Sequence, residues 1–371
     1  MRRSIAHLII GLAKGGAETA LYQVLKYQVD FSLEHRVISL GAAHYYEPLI
    51  RELGVELIDL DLRRHPFKTL VQAGKAIQGV DCLCCWMYHA NFIGYYFARC
   101  LHIPRLIWCI RHANLDTAVN KKTTLWISEQ CAKRSKKVDV IAYNGIAARK
   151  VHEEKGYSCE NGKTLDNGCD CEAFAPIIDA KKDLCKELGV PESKKIILSI
   201  TKDYAIKDVP GFIRAFGMLH KIEQNAIAVV CGYGITAVND SLKMICKEQG
   251  LILGKDIFLL GLRHDIPRLL SACDLYVLHS LGEAFPNTLL QAMACECLCL
   301  TTDVGDARLI LAQDDQVVPS GDTEALFQNM ERLLRLSKKK DKELRKQNRK
   351  RAREAFDIRR VIAQYEAMFY A

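Results

Sequence analysis

Short apolar, β-branched runs alternate with helix-period stretches from one end of the chain to the other. Runs at 5–10, 34–39, 56–59, 83–86, 105–110 and 138–142 read as strands. Between the first two, 17–29 carries Leu21, Val24 and Leu25 at the spacing of one helix face. A loop-rich stretch follows at 158–176, where Asn161-Gly162 and Asn167-Gly168 mark turns. The alternation then restarts, with strands predicted at 196–200, 226–230, 257–259, 275–277 and 298–301. Strands separated by helices imply a parallel sheet, and two such series predict two doubly wound α/β domains. The boundary is expected near 171–191, where Pro176 and Pro191 bracket a short helix. Such sheets bind ligands beyond the carboxyl ends of their strands, so two facing sheets would hold one in the cleft between them.

Composition narrows the class. With 371 residues, 49% hydrophobic and 26% charged, the chain can bury two ordinary cores, which excludes a disordered, collagen-like or small disulfide-stapled protein. The most apolar stretch, 82–104, is interrupted by His89, Asn91, Arg99 and His102, too often for a membrane span. The apolar run at 5–12 meets Lys14, Gly15 and Gly16 without a cleavage pattern; it reads as a strand, and the chain is expected in the cytoplasm. Among sixteen cysteines, Cys82-x-x-Cys85 has no matching second pair. The spacings at Cys169/Cys171 and Cys295/Cys297/Cys299 suit small buried residues, so free thiols and no metal site are expected.

Charge is uneven. Twelve Lys and Arg against two acids fall between 332 and 353, more than the whole chain's net +8. One such polar segment, helical by its pattern, lacks the interleaved aromatics and long groove of a nucleic-acid binder. It reads as a solvated helix face, or as a contact with anionic lipid headgroups at the inner face of the plasma membrane.

Two segments carry candidate chemistry. In GLAKGGAETAL (11–21), a strand, the pair Gly15-Gly16 and a helix would let backbone amides approach an anion, although a tight turn alone would look the same. In SLGEAFPNTLLQAMAC (280–295), Pro286 stands where a helix can begin, with Glu283 in the loop before it. Gln291 lies about two turns on, so the two can address one extended polar ligand.

The latter segment, with TTDVGDA at 301–307 behind it, resembles family 4 of the retaining glycosyltransferases, whose fold is GT-B. The resemblance runs nearly end to end. It includes GGAE at 15–18, IRHANLD at 110–116, YNG at 143–145, DNGCD at 166–170, SITKDYAIKD at 199–208, CGYG at 231–234 and LLGLRHDIPRLLSACDLYVLHS at 259–280. It implies an N-terminal acceptor-side domain at 1–175, a nucleotide-sugar-binding domain at 176–353, and a last segment, 354–371, that crosses back onto the first. By position, Lys202 and Lys207 would neutralise the donor diphosphate, Glu283 would hold the transferred sugar, and His112 would reach it from the first domain. Gly15 and Gly16 would approach the phosphates. Gly232, Arg263, Phe285, Pro286, Asn287, Thr288 and Gln291 would complete the donor site, with Gln291 facing the ribose.

The implied reaction moves a hexose or N-acetylhexosamine from a nucleotide-diphosphate sugar, UDP favoured, to a hydroxyl of a glycan or lipid-linked acceptor, without metal or other cofactor. Three departures stand out: Lys202 for an arginine and Gln291 for a glutamate, both of which weaken charged hydrogen bonding, and Glu296 where a positive-φ glycine is usual. Gln291 and Glu296 keep open a nucleotide-sugar-binding scaffold without catalysis; a second alternative on the same fold is a nucleotide-sugar 2-epimerase, against which the TDVGD and EAFPN segments argue.

Overall fold

The computed structural model describes residues 2–41, 44–113, 115 and 120–370. Strands β1 (Arg3–Ile9), β2 (Leu33–Ser39), β3 (Glu56–Asp59), β4 (Cys82–Trp86), β5 (Arg105–Ile110), β6 (Val140–Tyr143) and β7 (Gly162–Thr164) form a parallel sheet ordered β3-β2-β1-β4-β5-β6-β7. A second parallel sheet, β10-β9-β8-β11-β12-β13, is built from β8 (Lys195–Ile200), β9 (Ala226–Cys231), β10 (Ile257–Leu259), β11 (Leu275–Leu278), β12 (Cys299–Thr302) and β13 (Val317–Val318). Each order reverses once, between β1 and β4 and between β8 and β11. Those reversals are the crevices where doubly wound sheets take ligands.

The chain divides into two units, 1–168 with 358–371, and 169–357. The central strands are buried on both faces, which explains their near-continuous apolar runs. In the first unit, Ile5, Ile9, Cys82 and Trp86 face the helices Gly16–Lys26 and Ile358–Tyr370. Ala6, Leu8, Leu83 and Cys85 face Pro66–Ile77, Met87–Cys100 and Lys122–Ala132. The last helix is a wall of this core: Ile358, Val361, Ile362, Tyr365 and Phe369 are buried in it. Its buried Glu366 accepts from the Val29 and Asp30 amides at 2.7 and 3.1 Å. Arg105 Nε donates to the Met368 carbonyl at 2.6 Å. The seams fall at 168/169 and 357/358, against 175/176 and 353/354 in the sequence reading, because the Cys169 amide donates to Phe356 O at 2.9 Å and carries 169–176 with the second unit.

The basic segment is solvated at nine of its twelve Lys and Arg, and departs from that reading at the other three. It is two helices, Thr323–Leu334 and Lys338–Phe356, and three arginines of the second end on helix C-termini. Arg345 reaches the Cys273 and Asp274 carbonyls after Ile266–Ala272, and Arg349 reaches Ala294 at the end of Asn287–Ala294. Arg351 donates to Leu309 and Ile310 of Ala307–Leu311 at 2.6 and 2.7 Å. Cations are favoured there, since the last carbonyls of a helix lack partners and carry its negative pole. All sixteen cysteines are free thiols, Cys100 and Cys159 exposed and the rest buried.

Buried histidines make the fold sensitive to acid. Trp86 Nε1 donates to His7 Nδ1 at 3.2 Å, so the proton of His7 sits on Nε2 and is given to His35 Nδ1 at 2.9 Å. Neither ring can gain a proton without losing a bond. Burial lowers both, His7 well below its ordinary value and His35 to about 4. Burial also lowers His152 and His279 to about 4. Between pH 6.5 and 4 the unfolded chain therefore binds protons that the native chain refuses, so stability is full above that window and is lost as pH falls through it. Each histidine contributes up to about 1.4 kcal/mol per pH unit. Denaturant titrations at pH 7.5, 6 and 5 should show a progressive fall; equal midpoints would contradict this reading.

Candidate active site

The site residues that line one cavity lie at the β8/β11 reversal of the second unit. A cavity of about 240 Å³ is lined by Ile200 at the end of β8 with Thr201, Lys202 and Lys207 from the loop after it, and by Leu278 at the end of β11 with Ser280, Glu283, Phe285, Pro286, Asn287 and Thr288 beyond it. Its floor is apolar and its rim is charged. Lys207 is half-buried; its ammonium donates to Glu283 Oε1, which also accepts from Ser280 Oγ at 2.8 Å. Lys202 is exposed, with its ammonium 6.0 Å from the centre of the Tyr204 ring. The cavity thus joins two cations, one carboxylate and the first residues of the helix Asn287–Ala294, whose positive pole favours an anion.

Local backbone geometry holds these groups in place. The loop after β8 ends in a short turn, Ala205–Lys207, and Asp208 caps the next helix by accepting from the Gly211 amide at 3.0 Å. Gly232, in the loop after β9, has φ 138°, and a Cβ there would lie 1.6 Å from the Thr201 carbonyl oxygen. Only glycine lets the two loops stack. On the far side, Thr302 Oγ1 donates to the Ser280 carbonyl at 2.7 Å, and the Asp306 amide donates to Ala284 O at 3.0 Å. The Leu281 amide donates to Ile206 O at 2.8 Å, tying the two halves of the cavity rim together. Beneath, buried His279 meets Ser199 Oγ at 2.8 Å and stacks on Phe212 at 4.8 Å.

Other residues singled out by sequence lie elsewhere. Gln291 is half-buried on the helix Asn287–Ala294 and is not in the cavity lining. Arg263 donates to Glu187 and Asp265 at 2.7 and 2.8 Å, and Arg268 shares both carboxylates. These hydrogen bonds hold Asp265 well below the usual carboxylate range. In the first unit, Gly15 and Gly16 open the helix after β1, where the half-buried Glu18 carboxyl, raised by burial, folds back over Gly15. His112 is half-buried in the loop after β5. Asp116, in the same motif, lies outside the described residues. Among the described residues, His44, Glu47 and Asp59 bring three ligand-type atoms within 4.8 Å of one another, also in the first unit. The sequence reading missed Ser280 and His279. Ser280 starts the Glu283 segment, and His279 was visible as a lone polar residue closing an apolar run.

Glu296 occupies the position where a helix normally hands over to glycine. Its φ is 62°, its amide donates to Met293 O at 3.0 Å, and the Cys297 amide donates to Ala292 O at 3.0 Å. These two bonds define a Schellman turn with a glutamate at C′. Glu296→Gly should raise the unfolding free energy by about 1 kcal/mol, roughly 2–4 °C in Tm; an unchanged or lower Tm would show that the strain is relieved in another way.

The architecture defined by these two units is GT-B. Residues 180–354 match the family Glycosyl transferases group 1. N-acetyl-alpha-D-glucosaminyl L-malate synthase of Bacillus anthracis is 29% identical over 194 residues, covering 50% of this chain and 48% of that protein. UDP-Gal:alpha-D-GlcNAc-diphosphoundecaprenol alpha-1,3-galactosyltransferase of Escherichia coli is 33% identical over 145 residues, 38% of this chain and 36% of that one. The chain therefore matches about half or less of the length of these relatives. The crystal structure of Anabaena Alr3699/HepE in complex with UDP is similar over 98% of both chains, with a TM-score of 0.86 at 18% identity.

Proposed function

We propose that the chain is a retaining glycosyltransferase that moves a hexosyl or N-acetylhexosaminyl group from a nucleotide-diphosphate sugar, UDP favoured, to an acceptor hydroxyl. The observation that carries this reading is the meeting of Lys202, Lys207 and Glu283 in one cavity at the β8/β11 reversal. When the bond between the anomeric carbon and the phosphate oxygen breaks, the diphosphate gains charge. Two ammonium groups and a helix N-terminus neutralise it. That assignment gives the lysines the work a metal ion would otherwise do, so chelation should leave turnover unchanged. Glu283 accepts hydroxyls of the transferred sugar. The acceptor is assigned to the first unit, and a lipid-linked or cell-surface glycan is favoured because the Escherichia coli relative is named for a diphosphoundecaprenol-linked substrate.

The test is a donor screen on the full chain. UDP, GDP and ADP, then their sugars, are compared by thermal shift, followed by acceptor-dependent release of nucleoside diphosphate and NMR of the product. A Tm rise with one nucleotide sugar, and a product keeping the donor's anomeric configuration, are expected. Inversion would remove the retaining mechanism, and a 2-epimerised sugar would replace transfer with epimerisation. A folded chain that binds no donor would sink the reading.

A further inference from the structure

One face of the first unit combines exposed apolar side chains with a concentrated positive charge. The helix Pro66–Ile77 buries Thr69, Ala73, Ala76 and Ile77 against the sheet. Its opposite side leaves Phe67 86% exposed, Val71 59% and Leu70 36%. Spaced i, i+3, i+4, these three form one stripe. Arg63, Arg64, Lys68 and Lys75 stand exposed around it. The nearest acid, Asp61, is engaged locally, accepting from the Arg63 and Arg64 amides at 3.0 and 3.1 Å and pairing with the Arg64 side chain. On the next helices of the same layer, Tyr96 and Trp126 are 44% and 55% exposed.

The surrounding sequence is basic as well, although Arg105 and Arg111 belong to the other side of the sheet, where they donate to the Met368 carbonyl, Tyr365 and Asn167. From 62 to 137 there are thirteen Lys and Arg against three acids, Asp81, Asp116 and Glu129. An excess of acids elsewhere hides this block in the whole-chain balance. Scattered exposed hydrophobics need no explanation, but a continuous apolar stripe ringed by cations does. Nucleic acid would use the cations and leave Phe67, Leu70 and Val71 in water. A bilayer surface uses both: its interface accepts apolar side chains to a shallow depth, and its anionic headgroups attract Lys and Arg. No described helix is long and apolar enough to cross a membrane, so the contact would be one of lying on the surface.

We propose that the helix Pro66–Ile77, through Phe67, Leu70 and Val71 flanked by Arg63, Arg64, Lys68 and Lys75, docks the first unit onto an anionic lipid surface. This moves the lipid contact away from the 332–353 segment, where three arginines are engaged with helix ends. It does not rest on sugar transfer.

The test is co-sedimentation of the full chain with vesicles of phosphatidylcholine alone, or mixed with phosphatidylglycerol. Partitioning should be at least about tenfold stronger on the anionic vesicles and should fall as added salt shortens the screening length. Phe67→Ser with Val71→Ser should lose about tenfold or more at unchanged Tm, because the apolar stripe no longer inserts. Arg63→Glu with Lys68→Glu should lose at least as much, whereas Lys346→Glu with Lys350→Glu should leave partitioning near that of the unmodified chain. Equal binding to both vesicle types would overturn the proposal, as would full binding by the serine variant or retention on RNA without retention on vesicles.

Discussion

Lys207→Ala is expected to lower acceptor-dependent release of nucleoside diphosphate by at least about 10²-fold, the usual consequence of removing one preorganised group that stabilises transition-state charge. The ammonium is half-buried and already held by Glu283 at the rim of the cavity. Little reorganisation is therefore needed when a diphosphate arrives and takes over that interaction. Glu283 keeps its Ser280 hydrogen bond in the variant, so the loop itself should survive and Tm should change little. Lys207→Arg separates charge from shape, because a guanidinium restores the positive charge without the compact ammonium geometry, and it should recover part of the lost rate. Unchanged turnover in Lys207→Ala would remove this residue from the chemistry. An equal loss in Lys207→Ala and Lys207→Arg would show that placement, rather than charge, is what matters.

Gly232→Ala should have the largest effect on the fold of the second unit. The added methyl would meet the Thr201 carbonyl oxygen at 1.6 Å, and φ 138° is a region that L side chains rarely adopt. One of the two loops must move, and the Thr201 amide bond to Cys231 O at 2.9 Å is the first contact at risk. A loss of at least about 3 kcal/mol is expected, or roughly 6–12 °C in Tm for a unit of this size. Because Thr201 and Lys202 line the cavity, donor-induced thermal shifts should fall with it. A variant that melts within about 1 °C of the unmodified chain would mean that the loop stacking adapts at little cost.

The central strands were legible because strands buried on both faces must be apolar throughout, and the runs at 105–110 and 226–230 have no other use. Two edge strands escaped. Gly162-Lys163-Thr164 carries no apolar signal, and Val317-Val318 is too short to read; both are strands only because a neighbour offers its open edge. The roles of Arg345, Arg349 and Arg351 were equally hidden, since their carbonyl partners lie 40 or more residues away in sequence. At the candidate site, the loops after β8 and β11 were readable as motifs, and the structure brings Lys202, Lys207 and Glu283 together. Spacing could not reveal that Arg263 is engaged by two carboxylates. The glutamate at 296 was the reverse case: its departure from glycine in sequence announced the positive φ found there.

The placement of Ile358–Tyr370 in the first unit fixes an order of assembly during synthesis. Residues 1–168 leave the ribosome before 169–357, yet the part of their core that Ile358, Ile362 and Phe369 fill stays uncovered until those residues have been made. The second unit, encoded as one uninterrupted stretch, can close before that happens. A chain that stops at residue 357 would therefore hold a complete second unit and a first unit without one wall of its core, and that open apolar flank is where a chaperone would bind.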